Sequence, residues 1–106
     1  IFVDPENSDI VLNSNNSVPN PFSGSLWGAN DFFTFDAGES WEGEVDGAGE
    51  DNSGDPTTAI GLNGRWYVNY IDNIPKGGMG LSYSDDHGEG WTTVNVAPKP
   101  GPGNWD

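Results

Sequence analysis

The sequence predicts an all-β protein of two similar antiparallel units, and three observations carry that expectation. An eight-residue motif occurs twice, beginning at Thr34 and at Ser84, 50 residues apart. Short aromatic and β-branched runs alternate with turns rich in Gly, Asn and Asp. No stretch repeats its apolar residues at the helical period.

The motif reads Thr34-Phe35-Asp36-Ala37-Gly38-Glu39-Ser40-Trp41 and then Ser84-Asp85-Asp86-His87-Gly88-Glu89-Gly90-Trp91, a shared [Ser/Thr]-x-Asp-x-Gly-Glu-x-Trp. A β-prone run precedes each copy, at 31–35 and 80–84, and another follows, at 41–45 and 91–96. Each motif is therefore expected to be a hairpin turn between two strands. In the second pair Leu81 and Tyr83 share one face, Ser82 and Ser84 the other.

Two further strands are expected ahead of each hairpin. In the first unit, 1–3 leads through the turn Asp4-Pro5-Glu6-Asn7-Ser8 into 9–12. In the second, 57–61 leads through Leu62-Asn63-Gly64 into 65–71, and Asn-Gly is a strong tight-turn signal. Each unit reads strand, turn, strand, loop, strand, motif, strand. A four-stranded antiparallel sheet repeated at this period is the plan of a propeller blade. The units divide at 1–50 and 51–97, and 98–106 reads as a Pro/Gly-rich extended linker.

Composition narrows the function classes. The 106 residues carry a formal charge of −14 with three basic side chains, Arg65, Lys76 and Lys99. Such a surface repels nucleic acid and anionic membranes. With 16 Gly and 8 Pro the chain could be disordered, but five Trp, five Phe and three Tyr argue for a packed core. There is no Cys, which excludes disulfides, thiol nucleophiles and Cys-metal sites. No apolar run approaches the ~18–20 residues of a membrane span.

At the two motifs the chain resembles the BNR, or Asp-box, repeat family of sialidase-like β-propellers. Asp55-Pro56-Thr57-Thr58-Ala59-Ile60, with 66–70, looks like the strand pair that opens such blades; 4–11 looks like its counterpart one blade earlier. Gly103-Asn104-Trp105-Asp106 resembles a lead-in to a third blade. The resemblance implies two blades of a larger six- or seven-bladed propeller in a secreted or cell-surface protein. It also implies that the box residues Thr34, Asp36, Gly38 and Trp41, and Ser84, Asp86, Gly88 and Trp91, are structural and stand away from the ligand face.

The family's sialidase site resembles a cluster of arginines clamping a carboxylate, with an acidic proton donor and a Tyr–Glu nucleophile. This chain has one arginine, Arg65, so it is expected to be non-catalytic by itself. Three roles stay open: a structural module binding glycan or protein, a segment of an exo-sialidase-like glycoside hydrolase whose catalytic residues lie elsewhere, and a self-assembling subunit of an extracellular ring or filament. Partners are then the remaining blades or copies of the chain. The loop 46–55 reads either as a solvated connection or as a Ca²⁺ site, with Asp46, Glu50, Asp51 and Asp55 as oxygen ligands. Asn15-Asn16-Ser17 is a glycosylation sequon at Asn15. His87 is expected to be an exposed turn residue.

Overall fold

A computed structural model describes residues 1–18, 22, 28–45, 52–72 and 77–98. They form antiparallel β-structure with no helix. The first sheet contains β1 (Phe2–Val3), β2 (Val11–Asn13), β5 (Asp31–Thr34) and β6 (Glu42–Glu44), in that order. A two-stranded ribbon, β3 (Asn16–Ser17) and β4 (Gly28–Ala29), interrupts it between β2 and β5. The second sheet is a meander of β7 (Thr57–Ile60), β8 (Trp66–Asp72), β9 (Gly78–Ser84) and β10 (Thr92–Pro98). All eight expected strands are present, and β10 extends to Pro98, the first residue assigned to the linker.

Local chemistry explains the turns. Asp4 Oδ1 accepts from the N–H groups of Glu6 (2.8 Å) and Asn7 (3.2 Å), an Asx turn that returns the chain from β1 to β2. Between β7 and β8, the Gly64 N–H donates to the Gly61 carbonyl and the Gly61 N–H to the Arg65 carbonyl, both at 2.8 Å. The ribbon is held by polar groups as well as by Ala29, which packs in the core. Buried Ser17 donates to the carbonyl of Val45 at 2.7 Å, and the Asn52 amide oxygen accepts from the Ala29 N–H.

In the second sheet, large side chains on β8 fill space left by small ones on β9. Trp66 pairs with Ser84, Val68 with Ser82 and Tyr70 with Gly80, and all six are buried. The serines of the alternating pattern therefore point inward, while Leu81 and Tyr83 are half-buried. Burial of Ser82 is tolerated because its hydroxyl is bonded to Tyr70 Oη (2.8 Å) and to Thr93 Oγ1 (2.9 Å).

One core joins both sheets: Leu12, Ala29 and Phe33 meet Ile60, Trp66, Val68 and Tyr70. Strand β7 packs against β1 and β2. No helix of the described residues is long and apolar enough to cross a membrane.

Candidate functional site

Both motifs close the same network. Thr34 Oγ1 accepts from the N–H groups of Asp36 (3.2 Å) and Gly38 (3.0 Å) and donates to Asp36 Oδ1 (2.6 Å). Ser84 Oγ makes the corresponding three bonds to Asp86 and Gly88 at 3.3, 2.9 and 2.7 Å. The carboxylate then accepts from the N–H four residues on, Ser40 or Gly90, at 2.9 Å in each case. Ala37 and His87 share φ of 57°, and Gly38 and Gly88 follow at 93° and 88°, a backbone that L side chains rarely adopt. Bonds from Ser40 and Thr34 hold Asp36 down at about 2, and bonds from Ser84 and the Gly90 backbone lower Asp86. The hydroxyl at the first position is thus as much part of the turn as the carboxylate.

The copies differ in what they touch. Trp41 is 45% exposed, whereas Trp91 packs against the core. The second turn lies on an aromatic seam between the sheets: Trp66 meets Phe33 edge-on at 5.2 Å, stacks on Phe35 at 6.0 Å and meets His87 edge-on at 5.5 Å. His87 is solvent-exposed, as expected, yet it caps this seam. Arg65 forms a two-point pair with Asp85, at 2.7 and 2.8 Å, and its guanidinium lies 4.5 Å over the Tyr83 ring. That pairing raises Arg65 and lowers Asp85.

Beside the second turn lies a cleft of about 320 Å³, formed by Asp31 and Phe33 of β5, residues 42–44 of β6, and Gly88, Glu89 and Trp91. Pairing sets its chemistry. Asp31 stands opposite Glu44 and Phe33 opposite Glu42, so each pair shares one face of the sheet. Asp31 and Phe33 are buried, and Glu42, Glu44 and Glu89 form an exposed acidic rim. Asp31 is 3% exposed, and its Oδ1 is buried without a hydrogen-bond partner. Among the described residues no basic side chain lines the cleft.

Burial pushes Asp31 up from 3.8 to about 6, and repulsion from Glu44 adds to the rise; the Glu44 backbone and the Trp91 side chain offset part of it. The folded protein therefore binds this proton more tightly than the unfolded chain. The buried anion costs stability above about pH 6, on the order of 3 kcal/mol, and the cost is relieved as pH falls toward 4. Asp36, Asp85 and Asp86 act oppositely: their contribution is present above their unfolded value and is lost as pH falls through the lowered folded values. Urea melts across pH 3–8 should show maximum stability near pH 4–5. Asp31→Asn should remove most of the gain between pH 7 and 5, although relief of repulsion from Glu42, Glu44 and Glu89 leaves a remainder. An unchanged gain in that variant would exclude Asp31 as its source.

The other sequence-predicted residues fall elsewhere. Asp46, Glu50 and Asp51 lie outside the described residues. Asp55, at φ 51°, exchanges bonds with Asn16: its N–H donates to Oδ1 (2.7 Å) and its Oδ1 accepts from Nδ2 (3.0 Å). Among the described residues no group of three or more His, Asp or Glu side chains is placed to hold a metal. Asn15 is exposed, while the Ser17 hydroxyl of its sequon is engaged in the ribbon. The cleft escaped sequence reading, although one signal was present: at a period of two, Asp31 shares its face with Phe33, which places a carboxyl on an apolar surface. No family model, curated protein or solved structure matches the chain.

Proposed function

We propose that the chain is two blades of an Asp-box β-propeller and serves as a non-catalytic structural and binding module of a secreted or cell-surface protein. The observation that carries the reading is the repeated hairpin. The same hydroxyl–carboxylate turn joins the last two strands of each of two four-stranded sheets. The packing of β7 against β1 and β2 supports it, because propeller blades approach each other most closely at their first strands around an axis.

A propeller closes with ~4–8 blades, so the remaining blades come from the same polypeptide or from copies of the chain. The binding role, toward glycan or protein, falls to faces between and beside the blades. The engagement of Arg65 by Asp85 weighs against its use as a carboxylate clamp. The test uses the intact source polypeptide. It is expected to show a mass several times 11.3 kDa and no turnover of a fluorogenic sialoside. A monomer of 11.3 kDa would remove the larger propeller, and turnover would replace the non-catalytic reading with a glycosidase whose catalytic residues lie outside this chain.

A further inference from the structure

We infer that the cleft beside the second Asp-box turn is a binding site for an organic cation, an ammonium or guanidinium group, held between Asp31, the Glu42–Glu44–Glu89 rim and Trp91. Such a group occurs either on a free small molecule or at the end of a Lys or Arg side chain of a partner protein.

Four features of the molecule carry this. The first is a buried carboxylate with one unbonded oxygen; the Trp91 side chain and the Glu44 backbone bond the group, and neither carries a positive charge. Buried charges in folded proteins are paired or bound to a counter-ion, and leaving one unpaired is costly. Asp31 is 3% exposed, and its Oδ1 has no partner. The second is Glu44, which faces Asp31 directly across the β5–β6 ladder, where like charges are destabilising. Arg65, the described basic side chain of the folded sheets, is committed to Asp85 and leaves this repulsion in place.

The third feature is the wall. An indole beside carboxylates suits a cation with an apolar stem: the ring offers its π-face and apolar area while the carboxylates take the charge. Phe33 and Trp91 supply the apolar part of the lining. The fourth is size. At about 320 Å³ the cleft is at the lower end of the range for ligand sites, enough for one long cationic side chain. A bare metal ion fits less well, since among the described residues no three carboxylates converge on one point.

The test is calorimetric titration of the intact protein near pH 7.5 with n-butylguanidinium, with the uncharged isostere n-butylurea, and with acetyl-Gly-Arg-Gly-amide. Butylguanidinium should bind with a millimolar or tighter Kd, and butylurea at least about tenfold more weakly. Asp31→Asn should weaken guanidinium binding about tenfold or more, and Glu44→Gln several-fold. Glu39→Gln, an exposed acid of the first turn, should leave it unchanged. Glu44→Gln alters an exposed side chain and carries the test if Asp31→Asn fails to fold. Tighter binding of the peptide than of butylguanidinium assigns the site to a protein partner; equal binding assigns it to a free cation. Equal binding of butylurea would overturn the inference in favour of a neutral, hydroxyl-rich ligand such as a sugar. Equal losses in Asp31→Asn and Glu39→Gln would reduce it to the diffuse field of an acidic surface. Stoichiometric displacement by Ca²⁺, or no binding up to about 20 mM, would also overturn it.

Discussion

Replacing Trp66 with alanine is expected to cost about 3–5 kcal/mol and to uncouple the two sheets. The side chain is fully buried, and its ring touches Phe33 of the first sheet, Phe35 of the first turn and His87 of the second turn. Its removal opens a cavity where the core of one sheet meets that of the other. A domain of this size has total stability of only about 5–15 kcal/mol, so the loss is a large fraction of the whole. Trp66→Phe provides the contrast. It keeps an aromatic ring in the seam and removes the indole N–H, which is buried without a partner. Losing an unsatisfied donor offsets part of the lost area, so that variant should cost no more than about 1–2 kcal/mol. Urea denaturation followed by far-UV circular dichroism measures both. A Trp66→Ala loss below about 1 kcal/mol would mean that the sheets hold together without this ring.

The second large effect is expected at Gly88. Gly38 and Gly88 occupy equivalent positions with nearly equal φ, so the conformational cost of a side chain is shared. Their surroundings differ. A Cβ at Gly88 would lie 2.9 Å from Phe33 Cε1 and 3.3 Å from the Trp66 ring, whereas the nearest atom at Gly38 is 3.7 Å away, on Trp41. Gly38→Ala should cost about 1–2 kcal/mol from backbone strain alone. Gly88→Ala adds overpacking against the seam and should cost about 3 kcal/mol or more. The difference between the two melts isolates the inter-sheet contact. Equal losses would show that the second turn does not press on the aromatic seam.

The all-β class, the strand positions and the two turns were legible because they rest on local chemistry. The Asp36 and Asp86 turns bond within seven residues, and Asn63-Gly64 needs only its own backbone. The β3–β4 ribbon was not legible. Asn16, Ser17 and Gly28 are poor strand formers, and their pairing is imposed from a distance, by the Val45 carbonyl on Ser17 and the Asn52 side chain on Ala29. The inward face of β9 was ambiguous for a related reason. By hydropathy Leu81 and Tyr83 should be inside, but the bulk of Trp66 and Tyr70 on β8 leaves room only for Ser84 and Gly80 opposite them. The acidic cleft depends on the register that sets Asp31 against Glu44 and on the approach of the second turn, which is remote in sequence from both. Neither is encoded in spacing. The shared face of Asp31 and Phe33 was the one trace available in advance.

The closed bonding of the two turns bears on how such a unit can be copied. In each turn the hydroxyl, the carboxylate and the N–H groups they satisfy all lie in one short stretch of chain. A duplicate carries its own supports and makes few demands on whatever lies beside it. Divergence can then proceed at the remaining positions without loss of the turn. Ala37 in one copy and His87 in the other hold the same backbone angle, yet the imidazole reaches the seam. Trp41 stays at the surface while Trp91 helps to wall a cleft. One piece of chain thus serves as a plain fastener in its first occurrence and as the side of a recess in its second.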